Sequence, residues 1–289
     1  MKCGIVVLNY NDYEGTRDFI YQIKDYDNID KIVIVDNCST DESGDKLKHF
    51  KSEKISVILS EENKGYAAGN NIGIKYLINK FKVRYVIVSN PDIIIKEDAI
   101  CECLKFLENN KGYAIATVKM IEKNNSHTSI AWKLPNFLDC ILLTFPLISK
   151  IANCRLNYPK EYFNTKVSDV EVVPGSFFVA RGKYIEDVEY MDEETFLYCE
   201  ENILGYKLKS KGYKLAVINS NEYIHNHSIT INKNIKGKIE KFKILNRSRI
   251  VYVEKYLKVG ALRLFVFKIL LKIGITVRKI VELLSRGAK

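Results

Sequence analysis

Paired cysteines are missing from this chain. Its 7 cysteines among 289 residues (Cys3, Cys38, Cys101, Cys103, Cys140, Cys154 and Cys199) are scattered, odd in number and never spaced as Cys-x-x-Cys. That excludes a disulfide framework and a zinc ribbon, and points to reduced packing thiols in a cytosolic protein. A long uncharged apolar run is also missing. The longest candidate, Val259 to Val277, is broken by Arg263, Lys268 and Lys272, whereas a spanning helix needs about 20 mostly uncharged residues. At the start, Lys2-Cys3-Gly4-Ile5-Val6-Val7-Leu8 has no proper h-region and no small-residue cleavage site. The mature chain is therefore expected to begin where the sequence does. No Gly-Lys-Ser/Thr marks a P-loop. No nucleic-acid-binding motif, internal repeat or low-complexity linker is found.

With 47% hydrophobic and 28% charged residues, the chain can bury a sizeable core, and its length suits one large domain with an appendage. The net charge of +10 is unevenly spread. From Lys236 onward, 15 Lys/Arg face only Glu240, Glu254 and Glu282, about +12, so residues 1–235 carry about −2. This basic tail is rich in Leu, Ile and Phe, a mixture that fits an anionic membrane surface better than nucleic acid. On one helix Lys268, Lys272, Lys279 and Arg286 share a face and leave Leu264, Phe265, Ile269, Ile273 and Leu284 to other faces. The expectation is a basic amphipathic helical tail over 236–289, lying in the plane of the membrane. The alternatives are packing on the body of the protein or a homodimer contact.

The first half alternates strand-like and helix-like segments. Short β-branched runs at Gly4–Leu8, Lys31–Asp36, Ile55–Ser60, Arg84–Ser89 and Tyr113–Val118 are separated by longer amphipathic stretches. This predicts an α/β fold with a mostly parallel, Rossmann-like sheet flanked by helices. Ser39-Thr40-Asp41-Glu42 has the form of a capping box. Ile74, Leu77, Ile78 and Phe81 predict a helix over 66–81 with one buried stripe. Residues 120–167, with Asn124-Asn125-Ser126 and three prolines, read as a long acceptor-side excursion. Beyond it come strands at Val170–Val173, Ser176–Arg181 and Lys214–Asn219, and a helix around Glu200–Lys211. The α/β body is accordingly expected over 1–235, in two parts of about 1–119 and 120–235.

In open α/β sheets, ligands bind beyond the carboxyl ends of the strands. Here those ends carry Asn9-Tyr10-Asn11, Asp36-Asn37-Cys38-Ser39, Glu62-Asn63-Lys64-Gly65-Tyr66 and Asn90-Pro91-Asp92. Any one of them alone reads as an ordinary turn; four at successive strand ends define a cleft. Asp36 can accept from a pyrimidine ring N–H or a ribose hydroxyl. The small residues around Gly69 and Asn70 bring a helix start where backbone amides favour a diphosphate. Asn90 and Asp92 offer oxygen ligands for a hard cation. Met191-Asp192-Glu193-Glu194 and Glu200-Glu201 crowd five carboxylates together. Most suit a solvated first helical turn, and one can serve as a general base.

Taken in order, these motifs resemble the inverting family-two glycosyltransferases of the GT-A fold, in particular the bacterial rhamnosyltransferase-like branch. The resemblance rests on Val7–Asn11, Val35–Ser43, Asn63–Gly73, Ser89–Asp92, Pro174–Phe178, Met191–Glu201 and Ile224-His225, and spans roughly residues 3–230. It implies transfer of a sugar from a nucleoside-diphosphate sugar, dTDP-rhamnose or a UDP-hexose, to a glycan or lipid-linked glycan in surface polysaccharide synthesis. It implies a catalytic domain over 1–235, with a donor half of about 1–119 and an acceptor half of about 120–235, and a donor site of Leu8, Asn9, Tyr10, Asp36, Asn63, Gly69, Asn70, Asn90 and Asp92. Asp92 and His225 would hold Mg²⁺ or Mn²⁺, Glu201 or Glu200 would be the base, and Asp192 and Glu193 would lie on the acceptor side. Together with the tail, it implies a cytoplasmic enzyme peripheral to the inner face of the cell membrane. The chain departs from the family pattern at Asn90, where many relatives have Asp, at Glu201 in place of Asp, and at Ile203 in place of a second Asp. Those departures leave a non-catalytic nucleotide-sugar-binding subunit as the rival reading. A sugar nucleotidyltransferase ranks behind it, because no glycine-rich pyrophosphorylase signature is found near the N-terminus.

Overall fold

The computed structural model describes residues 2–122, 130–226, 235 and 237–287. Strand β1 (Cys3–Asn9) is flanked in parallel by β2 (Lys31–Asp36) and β4 (Tyr85–Ser89), and β3 (Ile55–Leu59) extends the sheet beyond β2. Their continuous apolar runs suit strands covered on both faces. Helices α1 (Tyr13–Ile23) and α4 (Glu97–Asn109) cover one face, through Phe19, Ile20, Ile100 and Leu104. Helix α3 (Tyr66–Phe81) covers the other, burying Ile74, Leu77 and Ile78 of the predicted stripe and leaving Phe81, at its last turn, half-buried.

Beyond β4 the sheet becomes mixed. Strand β8 (Phe177–Arg181) runs antiparallel to both β4 and β6 (Tyr113–Glu122), and β9 (Lys214–His225) is parallel to β6. The far edge of β9 takes two short antiparallel partners, β7 (Val167–Val170) and β5 (Ile93–Ile95). The order is β3-β2-β1-β4-β8-β6-β9-β5, with β7 also beside β9. Two register pairs shape the cleft at the strand ends. Ser89 opposite Phe177 brings Gly175 and Ser176 to the carboxyl end of β4, and Ile93 opposite His225 brings His225 beside Asp92.

The capping box read from Ser39–Glu42 does not form. Helix α2 (Ser43–Leu47) has Glu42 at its N-cap with no side-chain cap bond, because Ser39 gives both its amide and its hydroxyl to Asp36. The 120–167 excursion contains structure of its own. Asn136 and Asp139 make a capping box for α5 (Phe137–Leu142), α6 (Ser149–Leu156) follows, and Trp132 bridges to Asn157 and Val172. Asn124-Asn125-Ser126 lies outside the described residues. Two short helical elements, α7 (Gly182–Asp187) and α8 (Glu200–Ser210), flank the acidic run.

The tail is helical in α9 (Lys238–Val251), a turn of π-helix at Tyr252–Tyr256 and α10 (Ala261–Gly287). It packs on the body through a third apolar cluster in which Tyr252, Val253, Phe267 and Leu271 meet Cys140 of α5 and Ile203 of α8. At Gly274, α10 lies so close to Thr144 that a Cβ would sit 2.4 Å from its Cγ2, a close approach that only glycine allows. Among the described residues, no helix is long and apolar enough to cross a membrane.

Candidate active site

The strand-end motifs converge at the carboxyl edge of β1, β2 and β4. Asn9 lies in register with Asp36 and is fully buried. Its Nδ2 donates to Asp36 Oδ1 at 2.7 Å and to Ser39 Oγ at 3.1 Å, while its Oδ1 accepts from Thr16 at 2.8 Å. Those bonds commit its amide to the interior. Asp36 also accepts from Ser39 N at 3.0 Å and from its hydroxyl at 2.6 Å. Asn37 Nδ2 donates to Asn63 Oδ1 at 2.9 Å and to the Gly65 carbonyl at 3.2 Å, which ties the β2 end to the α3 approach. Leu8, half-buried, packs against Gly69; Tyr10 is half-buried at the end of β1. Asn70 is fully buried; its Nδ2 bonds the Tyr66 carbonyl at 3.0 Å, and its Oδ1 has no protein partner.

A second group forms around Tyr66, the first residue of α3. Its hydroxyl lies 3.0 Å from Asn90 Oδ1 and 2.7 Å from the Gly175 carbonyl. Burial, and then the charges of Glu201, Glu200 and Asp92, hold its pKa well above the ordinary tyrosine value. One phenol therefore senses both the Asn90–Asp92 motif and the acidic pair. Asp92 Oδ1 is 3.2 Å from His225 Nε2, and both side chains are buried. A carboxylate and an imidazole so placed could supply two ligands to a divalent ion that takes oxygen and nitrogen ligands. Among the described residues no third His, Cys, Asp or Glu joins them, so the remaining positions would fall to ligand oxygens.

The acidic pair heads α8. Tyr198 and Cys199 precede it with φ of 71° and 67°, two consecutive left-handed residues of the kind that accumulate at functional sites. Glu200 is buried and its Oε2 has no partner. Burial, reinforced by the charge of Glu201, raises its pKa well above the usual carboxylate range. Glu201 is half-buried against Gly175, where a Cβ would lie 2.9 Å from its Oε1. Burial raises its pKa as well. A carboxylate tuned upward in this way is a better proton acceptor near neutral pH than an exposed one.

The other acidic residues point elsewhere. Asp192 accepts from Lys255 Nζ at 2.9 Å and from the Tyr256 hydroxyl, holding the π-helical turn of the tail. Glu193 Oε1 accepts from Asn71 Nδ2 at 2.8 Å and from Lys75 Nζ at 3.0 Å, which fastens the acidic run to α3. Tyr66, Asn71 and Gly175 lie inside the strand-end and family motifs but are not among the site residues expected from sequence, although Asn71 carries one local signal. Asn71 is a polar residue on the apolar face of α3, and it bonds the Met191 backbone twice, at 2.8 Å and 3.1 Å. His227 lies outside the described residues.

The model of glycosyl transferase family 2 matches residues 4–185, more than half of the chain. A low-salt glycan biosynthesis hexosyltransferase, Agl10 of Haloferax volcanii, is 24% identical over 226 residues, 78% of this chain and 67% of the relative. The rhamnosyltransferase WbbL of Escherichia coli is 28% identical over 222 residues, 73% of this chain and 80% of the relative. Among solved structures, the mannosyltransferase PcManGT from Pyrobaculum calidifontis, in complex with GDP-Man and Mn²⁺, superposes with a TM-score of 0.60. It covers 99% of this chain and 79% of its own at 11% identity, a likeness of fold. The expected GT-A architecture, a sheet flanked by helices with a helical C-terminal region, is the one observed.

Proposed function

This chain belongs to glycosyl transferase family 2, and from that premise we propose that it moves one sugar from a nucleoside-diphosphate sugar to a hydroxyl of a glycan or lipid-linked glycan, inverting the anomeric centre. The carrying observation is the placement of the pair Glu200 and Glu201, with Glu201 against Gly175, whose carbonyl shares the Tyr66 hydroxyl with Asn90 Oδ1. Asp36, fixed by Asn9 and Ser39, receives the base or ribose of the nucleotide. The acceptor hydroxyl gives its proton to Glu201, the half-buried member, and its oxygen attacks the anomeric carbon as the bond from that carbon to the diphosphate oxygen breaks. Glu200, buried behind it, keeps its proton and limits charge repulsion in the pair. Tyr66 positions Asn90 against the Gly175 carbonyl. Mg²⁺ or Mn²⁺, held by Asp92, His225 and diphosphate oxygens, would supply neutralisation of the charge on the leaving group. The hexosyl- and rhamnosyltransferase relatives and the GDP-Man and Mn²⁺ of the mannosyltransferase neighbour support a nucleotide-sugar donor and a divalent ion. They leave the sugar open between rhamnose and a hexose.

The test is transfer by Glu201→Gln and Glu200→Gln, with the product anomer read by NMR. Glu201→Gln is expected to lower kcat by about 10²- to 10⁴-fold with little change in donor KM, and Glu200→Gln to keep most activity. The reverse order would move the base to Glu200. A retained anomeric configuration would reject the displacement. Tight donor binding by the native protein without any transfer would favour the non-catalytic subunit.

The same reading puts the enzyme, peripherally, on an anionic membrane. Helix α10 buries Phe267 and Leu271 but exposes Leu262 (76%), Phe265 (63%) and Ile273, with Lys272 and Lys279 exposed among them. Leu147 (81%) and Ile151 project from the adjacent α5–α6 segment, so the exposed apolar surface comes from two parts of the chain. Apolar side chains beside lysines suit an interface with anionic lipid, at roughly 1 kcal/mol per basic residue near the surface. Co-sedimentation with anionic vesicles should fall in Phe265→Ser and Leu147→Ser. Unchanged binding would reject the membrane role, and loss of a dimer in sedimentation velocity would assign the surface to a second copy.

A further inference from the structure

The C-terminal helices carry buried hydrogen-bond donors that are weakly satisfied or without a partner. Arg249 of α9 is 8% exposed, and its Nη1 reaches only the Leu143 carbonyl at 3.4 Å and Asn246 Oδ1 at 3.5 Å, both at the outer limit of a hydrogen bond. Asn246 is 4% exposed, and its Nδ2 is buried without a partner. From α10, half-buried Arg278 sets its guanidinium carbon 3.8 Å from the centroid of the Phe242 ring, and that of Arg249 is 5.9 Å from the same ring. Arg278 Nε is also buried without a partner.

Among the described residues, neither arginine has a carboxylate in an ion pair. The buried thiols of Cys140 and Cys199, which lie near Arg249, supply no counter-charge. Burial pushes Cys140 up to about 12 and Cys199 higher, so both stay neutral. Burial lowers the pKa of both guanidiniums, and the charge of Arg249 lowers that of Arg278 further. Arginine nevertheless keeps its proton, and buried charges in proteins are paired. Two cations on one aromatic ring, with an unused amide donor on the side chain that Arg249 touches, are a set of groups complementary to an oxyanion.

We propose that Asn246, Arg249 and Arg278 form a binding subsite for a phosphate-class anion, separate from the Asp92–His225 site. Forked guanidinium donors match phosphate oxygens in pairs, and the amide fills a third direction. The subsite lies one hydrogen bond from the segment that leads into the acidic pair: Ser248, next to Arg249, donates to the Leu197 carbonyl at 2.8 Å, three residues before Glu200. The phosphate could be soluble or could belong to a lipid, and the chemistry is the same in either case.

The test uses the full chain carrying Asp92→Ala, in EDTA, so that the other diphosphate site is disabled and the result does not depend on the transfer reaction proposed above. Inorganic phosphate is titrated against chloride at constant ionic strength while thermal unfolding is followed. A saturable rise in Tm is expected. Arg278→Gln, at a half-buried position, should weaken the apparent phosphate affinity at least tenfold. Asn246→Asp places a carboxylate within reach of Arg249; it should raise the Tm of the phosphate-free protein and abolish the phosphate response. In a parallel arm, binding to phosphatidic acid vesicles that falls in Arg278→Gln assigns the anion to a lipid, and binding that does not fall assigns it to a soluble phosphate. Absence of a saturable response, or a response unchanged in both variants, would overturn the proposal.

Discussion

Replacing Gly65 by alanine should damage both stability and chemistry. Gly65 precedes α3 with φ +102° and ψ −174°, a region essentially restricted to glycine that costs other residues about 1–3 kcal/mol. A Cβ there would lie 2.1 Å from the Phe196 carbonyl oxygen and 2.6 Å from its Cα. The obstacle is backbone, so no rotamer change relieves it, and overpacking of this kind costs about 1–3 kcal/mol more. The total of about 2–6 kcal/mol is a large share of the roughly 5–15 kcal/mol that holds a domain folded. Phe196 also accepts from Tyr66 N at 2.9 Å, so pushing it away loosens Tyr66 and shifts the segment that leads into Glu200. A displacement of about 1 Å at the base can cost 10²-fold in rate. Urea unfolding gives the stability, and transfer assayed where the variant is still folded gives the rate. Gly112→Ala is the control, since a Cβ there meets nothing within 4 Å. A Gly65→Ala protein within about 0.5 kcal/mol of wild type would refute the argument.

Glu200 keeps its proton in the native state above pH 4.5, where the unfolded chain loses it. Native stability should therefore decline as pH rises from 4.5 toward its raised native value, by up to about 1.4 kcal/mol per pH unit. Glu200→Gln should flatten that slope in urea midpoints measured across pH, and an unaltered slope would contradict the shift. Asp36→Ala strands the donors of Asn9 and Ser39 and should cost about 2–3 kcal/mol while weakening donor affinity in calorimetry. Transfer should collapse in EDTA and recover with added Mn²⁺, and full turnover in the chelator would remove Asp92 and His225 from a metal role.

The first half of the fold was legible because its signals are local. Strand β2 and helix α3 begin and end where the periodicity placed them, since each is decided by apolar spacing within its own residues. What escaped was decided at a distance. Strand β5 has three residues, and its pairing depends on β9, more than 120 positions away. Strand β7 falls at Val167–Val170 and not at Val170–Val173, because Val170 pairs with Leu215 while Val172 bridges to Trp132. The carboxylates at 192–201 look alike in sequence, yet Asn71 and Lys75 claim Glu193, Lys255 and Tyr256 claim Asp192, and only Glu200 and Glu201 meet the Tyr66 group. Nothing in their spacing could sort them, because the sorting partners lie on other elements.

The tail follows the same rule, with a practical consequence. Its helical period was visible, but the choice to bury Phe267 and Leu271 and leave Phe265 exposed is made by α5 and α8. Deleting 260–289 would uncover that cluster and strip the packing that holds Tyr252 and Val253 in place. The neighbouring Lys255 and Tyr256 carry the contacts to Asp192, so the acidic segment that leads into Glu200 would loosen with them. A truncated enzyme should lose transfer in detergent, with no membrane present, whereas Phe265→Ser should keep it there and lose only vesicle binding. Equal activity of the two proteins in detergent would mean that the tail is an anchor alone and that its packing against Ile203 and Cys140 does not support the base.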